Sequence, residues 1–152
     1  MRISIGSDHG GFLLKEELKK HLLEESFEVL DCGCDSQESV DYPLYGMRVC
    51  KNVQTKKTEL GILICTTGVG MSITANKHHG IRAVLAHNAD MAEYARRHND
   101  SNVLCFGSKY FQISEAMAMV KAFVEAKFEG ERHERRVNLI QKLEVKECNK
   151  EK

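Results

Sequence analysis

Leu60-Gly61-Ile62-Leu63-Ile64-Cys65 runs without a charge into Thr66-Thr67-Gly68-Val69-Gly70-Met71-Ser72, and this passage decides the fold. A short, nearly continuous apolar run that ends at a Gly-x-Gly turn reads as a strand buried on both faces, feeding directly into a helix. Working outward, similar runs occupy Arg2–Ser7, Glu28–Cys32, Ile81–Ala86 and Val103–Phe106. The stretches between them have helical spacing. Phe12, Leu14, Leu18, Leu22 and Leu23 share one apolar face, while Lys15, Glu16, Lys19 and Lys20 are expected to face water. Further helices are expected in 45–53, 69–77, 89–97 and 114–128, with Pro43 opening the second.

Strands alternating with helices through short links predict an α/β protein, a parallel sheet covered on both faces. Ligands of such sheets gather at the carboxyl ends of the strands, near the switch point of the strand order. That rule singles out Asp8-His9-Gly10-Gly11, Cys65-Thr66-Thr67-Gly68 and the loop after Ala86. The segment from Glu131 to about Glu147 is a helix left over once five strands are assigned, with an apolar edge of Val137, Ile140 and Leu143 suited to another subunit. Residues 1–147 are read as one domain and 148–152 as a polar tail.

The bulk composition agrees with one soluble domain. At 152 residues the chain is long enough for a single well-buried core. Its net charge is zero, with no dominant basic block, which argues against nucleic acid as the main partner. No apolar run reaches membrane-spanning length, and Met1-Arg2-Ile3-Ser4-Ile5-Gly6 turns polar too quickly for a signal peptide. Four of the six cysteines sit in or beside strand-like runs, as reduced cytoplasmic thiols would.

Four segments hold residues able to do chemistry. Asp8 can accept a proton or hold a sugar hydroxyl, and His9 can donate to phosphate. The plainer role for Asp8 is a helix cap. In the Cys65 segment, Gly68-Val69-Gly70 exposes successive amides. Ile73 stands where a third glycine would be needed for a dinucleotide, which leaves the amides of Gly68, Val69, Gly70, Met71 and Ser72 available to a developing oxyanion. Cys65 would then stand at the lip of that hole, where a thiol serves readily as a base. The plainer reading is a buried structural cysteine. In Arg96-Arg97-His98-Asn99-Asp100, His98 can shuttle a proton and Asn99 can bind hydroxyls, or the segment is a cationic helix end. Arg132 and Arg136, four apart, share a helix face that could fork onto one phosphate or simply be solvated. Cys32-Gly33-Cys34 and His78-His79 lack metal-ligand spacing, so no metal and no cofactor are expected.

Together these segments resemble the type B ribose-5-phosphate isomerase family, which also contains galactose-6-phosphate isomerase subunits. The likeness spans Arg2 to about Glu144. It is carried by Gly6-Ser7-Asp8-His9-Gly10-Gly11, Asp41-Tyr42-Pro43, Cys65 through Gly70 with Asn76-Lys77, and Gly80-Ile81-Arg82-Ala83. Arg97 through Leu104, Phe106-Gly107-Ser108 and Arg132-His133-Glu134-Arg135-Arg136 complete it. The resemblance implies a three-layer α/β/α sandwich of Rossmann type with an extra C-terminal helix. It also implies a homodimer or dimer of dimers and a phosphorylated sugar substrate. The residue matching Cys65 removes the C2 proton to give a cis-enediolate, and Asp8 and His98 match the pair that opens the furanose ring. Tyr42, Thr67 and Asn99 match groups around the sugar hydroxyls. His9, Arg132 and Arg136 match phosphate ligands, with both arginines, His98 and Asn99 reaching in from the neighbouring subunit. Thr66 stands where the family commonly has glycine, and Lys109 where it often has arginine. A ribose 5-phosphate isomerase is the leading expectation, ahead of a hexose-6-phosphate isomerase and of a non-catalytic phosphate- or nucleotide-binding module.

Overall fold

The computed structural model describes residues 1–149. Five strands, β1 (Arg2–Ser7), β2 (Glu28–Asp31), β3 (Leu60–Cys65), β4 (Ala83–Leu85) and β5 (Val103–Gly107), form one sheet in the order β2-β1-β3-β5-β4. Every pairing is parallel. The helices are α1 (Phe12–Glu24), α2 (Tyr42–Gln54), α3 (Val69–Ala75), α4 (Ala89–Asn99), α5 (Ile113–Glu125) and α6 (Glu131–Asn149).

The two-residue period of the strands splits the core into two layers. Ile3, Ile5, Leu60, Ile62, Ile64, Leu104 and Phe106 face α1, α4 and α5, whose Leu14, Leu18, Leu22, Ala92, Ala116, Val120 and Phe123 pack against them. Leu63, Cys65, Val103 and Cys105 face the other way, against Val49, Cys50 and Val53 of α2 and Met71 and Ala75 of α3. The result is a three-layer α/β/α sandwich. Burying one large apolar side chain of this kind contributes roughly 1.5–3 kcal/mol. The central strand β3 is buried along its whole length, as its composition predicts, whereas the outer strands β2 and β4 are half-exposed.

Three local differences from the sequence expectation have physical causes. Helix α2 begins at Tyr42, because Pro43 sits in its first turn, where the missing N–H costs nothing. Strand β4 is only three residues long, since the Arg82 amide donates to the Asn102 side chain (2.9 Å). Lys15, expected in water, is fully buried: its Nζ reaches Asp31 at the end of β2 (2.8 Å) and also pairs with Glu16.

The free edge of β4 is also closed locally. Ala83, whose backbone points away from β5, gives its N–H to Asn76 Oδ1 and takes a bond from Asn76 Nδ2, both at 2.9 Å. Helix α6 packs its His133 and Val137 inward and leaves Leu139, Ile140, Leu143 and Val145 exposed. It is tied down at both ends: the Glu129 amide donates to Arg97 O (3.0 Å), and both carboxylate oxygens of Glu144 accept from the Gly80 amide. Helix α6 continues to Asn149, into the stretch read as a tail; residues 150–152 lie outside the described residues. None of the described helices is long and apolar enough to cross a membrane.

Candidate active site

From β1 the chain leaves toward β2 on one side, while β3 lies on the other. The carboxyl ends of β1 and β3 therefore flank a switch point, the place where an open parallel sheet offers a crevice. Asp8 and Cys65 stand one residue past β1 and at the last residue of β3.

Glycines bring three loops into contact here. A Cβ on Gly11 would fall 2.7 Å from Ile64 O, and one on Gly107 would fall 2.6 Å from the Thr67 carbonyl carbon. Ser108 Oγ donates to Gly10 O (2.7 Å), and the Lys109 amide donates to Thr66 O (3.1 Å), so the end of β5 is fastened to both neighbouring loops. The Thr66 hydroxyl fills the space above Gly10, 2.3 Å from where a Cβ there would lie. Thr66 is not among the residues of positive φ, so threonine is accommodated without backbone strain. The left-handed residue of this loop is Gly68 (φ +79°), pressed against the Phe106 backbone.

That turn at Gly68 points its amide back at Cys65, donating to Sγ at 3.1 Å. A thiolate accepts such a bond better than a thiol does. Cys65 is 5% exposed. The Val69 amide donates to Thr67 Oγ1 (3.4 Å), leaving the threonine hydroxyl hydrogen free for a ligand. Ser72 N returns to Gly68 O, while among the described residues no acceptor faces the amides of Gly70 and Met71 in the first turn of α3. Two such amides beside a thiol can hold the oxygens of an enediolate.

Around this centre, Asp8 is buried and its Oδ1 accepts from the Gly11 amide (3.1 Å), which holds the carboxylate in the turn ahead of α1. His9 Nδ1 accepts from the Val40 amide (3.1 Å), so the neutral ring carries its proton on Nε2, as a donor. The Tyr42 ring lies over Gly70, where a Cβ would come within 2.6 Å of its Cζ. Asp8, His9, Tyr42, Cys65, Thr67, residues 68–72 and Lys109 are thus gathered at one end of the sheet.

The remaining predicted residues are elsewhere. Helix α4 starts just after the carboxyl end of β4 and ends just before the amino end of β5, descending about 16 Å over its eleven residues. His98 and Asn99, at its last turn, lie at the amino edge of the sheet, opposite Cys65. Arg132 and Arg136 are exposed on the first turns of α6, close to that same edge through the Glu129–Arg97 contact. One chain therefore does not bring its two halves of the predicted site together.

Sequence reasoning missed the partners of His98. His98 stacks on His133 (ring centroids 4.1 Å apart, planes 7° from parallel) and faces Glu129. Glu129 is in the α5–α6 link, where no periodicity marks it; His133 was visible only as part of a basic helix. Neither Cys32-Gly33-Cys34 nor His78-His79 assembles three metal-donor side chains; among the described residues only His98, Glu129 and His133 do.

Comparison with known proteins bears on the whole chain. The family described as Ribose/Galactose Isomerase matches residues 3–140. Ribose-5-phosphate isomerase B of Escherichia coli (strain K12) is 46% identical over 143 residues, 94% of this chain and 96% of that protein. Among solved structures, ribose-5-phosphate isomerase B of Clostridium thermocellum aligns with a TM-score of 0.94 at 44% identity, covering 96% of this chain and 99% of that one. That of Mycoplasma genitalium, solved with bound ribulose-5-phosphate, aligns with a TM-score of 0.90 at 40% identity, covering 95% and 96%. With a match over nearly its full length, and a cysteine and paired glycine loop at the switch point, the chain belongs to the Ribose/Galactose Isomerase family.

Proposed function

We propose that the chain is an aldose–ketose isomerase that interconverts D-ribose 5-phosphate and D-ribulose 5-phosphate, with Cys65 as the base. The observation that carries this reading is the Cys65 sulfur held 3.1 Å from the Gly68 amide, beside two unengaged amides and the buried Asp8 carboxylate. The family and the full-length relatives supply the substrate class.

In the reaction, the anomeric hydroxyl gives its proton to Asp8 while the C1–O bond of the furanose breaks and His98 protonates the ring oxygen. The Cys65 thiolate then removes the C2 proton. The resulting cis-enediolate rests its oxygens on the amides of Gly70 and Met71, with Thr67 beside the hydroxyls. The O2 proton passes to O1, and Cys65 returns its own proton to C1, giving the ketose. Tyr42 and Asn99 hold hydroxyls; His9, Arg132, Arg136 and Lys109 hold phosphate.

The active site is composite in this reading, built in a homodimer from Cys65 of one subunit and His98, Asn99, Arg132 and Arg136 of its partner. Support comes from the separation of the two sets within one chain. Further support is a groove of about 530 Å³ beside Asn99, lined by Val84, Leu85, Ile140 and Leu143, whose apolar rim suits a second copy. Free thiols at the five described cysteines fit a cytoplasmic enzyme of pentose phosphate metabolism.

A coupled assay with ribose 5-phosphate, allose 6-phosphate and galactose 6-phosphate tests the proposal. The highest kcat/KM is expected with the pentose. Preference for a hexose would reassign the substrate, and no turnover of any would leave a phosphate-binding module.

A further inference from the structure

Away from the Cys65 loop, His98, Glu129 and His133 are the one trio of metal-donor side chains gathered among the described residues, and they join the end of α4 to the start of α6. Glu129 uses its two oxygens differently. Oε1 takes the Arg97 guanidinium at 2.6 Å, and this pairing holds the carboxyl below its usual range, so it is ionised at neutral pH. Oε2 is left between two imidazoles, 3.5 Å from His98 Nε2 and 3.6 Å from His133 Nε2.

His133 is 6% exposed, and its Nε2 has no hydrogen-bond partner. Burial, then the neighbouring His98 and Arg132, push its pKa down, so its ring stacks on His98 as a neutral plate. Tyr94 meets the His98 ring edge-on, with ring centroids 4.8 Å apart. Three donor atoms within 4.8 Å are also the outline of a cation site. Here the carboxylate already carries a guanidinium, and Arg132 and Arg136 add positive charge close by. The cluster is better suited to orienting an imidazole than to holding a metal.

We infer that Glu129 and His133 are positioning residues for His98 in the opening of the sugar ring. This rests on the role given to His98 above. A carboxylate facing one imidazole nitrogen sets which nitrogen keeps its proton, as in other carboxylate–histidine pairs. Glu129 at Nε2 leaves Nδ1 as the nitrogen that gives its proton to the ring oxygen as the C1–O bond breaks. His133 and Tyr94 keep the plane from turning. Because His98 serves the partner's site, Glu129 and His133 act across the interface without touching substrate.

Ribulose 5-phosphate separates ring opening from enolisation. Its C5 oxygen is phosphorylated, so its C2 carbonyl has no hydroxyl with which to close a five-membered ring. Exchange of its C1 proton with D2O therefore needs the Cys65 step alone. Glu129→Gln and His133→Ala are expected to lower kcat on ribose 5-phosphate by about 10- to 100-fold, the scale of a misplaced catalytic group. KM and the C1 exchange rate, followed by NMR, should stay near wild type, and His133→Phe, which keeps a flat stacking ring, should recover most of the loss. Equal loss of conversion and exchange, or a rise in KM alone, would overturn the inference, as would wild-type conversion in both variants while His98→Asn loses conversion selectively. If His98→Asn spares conversion, the assignment of His98 itself fails, and the positioning role falls with it.

Discussion

The Gly68 amide donates to the Cys65 sulfur at 3.1 Å, and the geometry that permits this is a left-handed glycine wedged against the Phe106 backbone. The thiol and the turn that serves it are thus one construction. Cys65→Ala is expected to abolish both isomerisation and C1 exchange, a fall of at least about 10²–10⁴, with fold retained because alanine fits a buried strand end. Retained activity in steady-state assays would remove Cys65 as the base. Gly68→Ala should do damage by another route. It adds left-handed strain of roughly 1–2 kcal/mol and a Cβ 2.6 Å from the Phe106 carbonyl carbon, so a lower melting temperature should accompany the lost activity.

The cysteines differ sharply in environment. Burial pushes the Cys50 thiol up to about 12, raises Cys105 well above the usual range, and raises Cys32 less. Groups raised in this way stay protonated, and so unreactive, at neutral pH. Limiting iodoacetamide followed by peptide mapping should label Cys65 ahead of these three, with inorganic phosphate slowing the reaction. Faster labelling of Cys50 or Cys105 would contradict the ordering.

Opposite placement of Cys65 and His98 within one chain gives a sharp test of the proposed composite site. Cys65→Ala and His98→Ala homodimers should each be inactive. After subunit exchange, a mixed dimer has one site with both lesions and one with neither. Random pairing makes about half of the dimers mixed, so activity should recover to roughly a quarter of wild type. Native mass spectrometry would report the mixed dimers, and their presence without activity would exclude the composite arrangement.

The Lys15–Asp31 pair predicts an acid limit to stability. Burial raises the Asp31 pKa, but hydrogen bonds from Lys15 and Lys19 outweigh it and hold the group below its usual value. A depressed carboxylate contributes stability that is complete above its unfolded pKa, about 3.9, and is lost as pH falls through the lower folded value. Urea midpoints should therefore drop below about pH 4 in the wild type. Asp31→Asn should lower stability at pH 7, by about 1–3 kcal/mol, and flatten that acid dependence. Parallel pH curves in the two proteins would argue against it.

Much of the fold was legible because local pattern and tertiary role coincide. Strand β3 is apolar throughout and buried throughout, and Pro43 marks the start of α2. What the sequence could not disclose depends on distant partners. Lys15 looks solvated until Asp31, sixteen residues on, is seen beside it. In the same way His98 reads as a helix-end cation, and only the docking of α6 on α4 supplies Glu129 and His133. The Cys65 loop was legible as a unit, since its glycines, thiol and helix start are contiguous. The division of the predicted site between two edges follows from the direction of α4, which no single motif encodes.

The bracket that Asn76 places on Ala83 governs how copies of this protein can meet. A parallel sheet ending in a bare strand would invite another chain to extend it by backbone pairing, the route to fibres and runaway stacking. Here the outward N–H and C=O of Ala83 are already occupied by a side-chain amide that copies a neighbouring peptide. Self-association at this flank must then be read through side chains such as Val84, Leu85, Ile140 and Leu143, which have shape and therefore choose a partner, whereas a row of peptide groups would accept any. Replacing Asn76 would leave those two peptide groups unpaired at the edge.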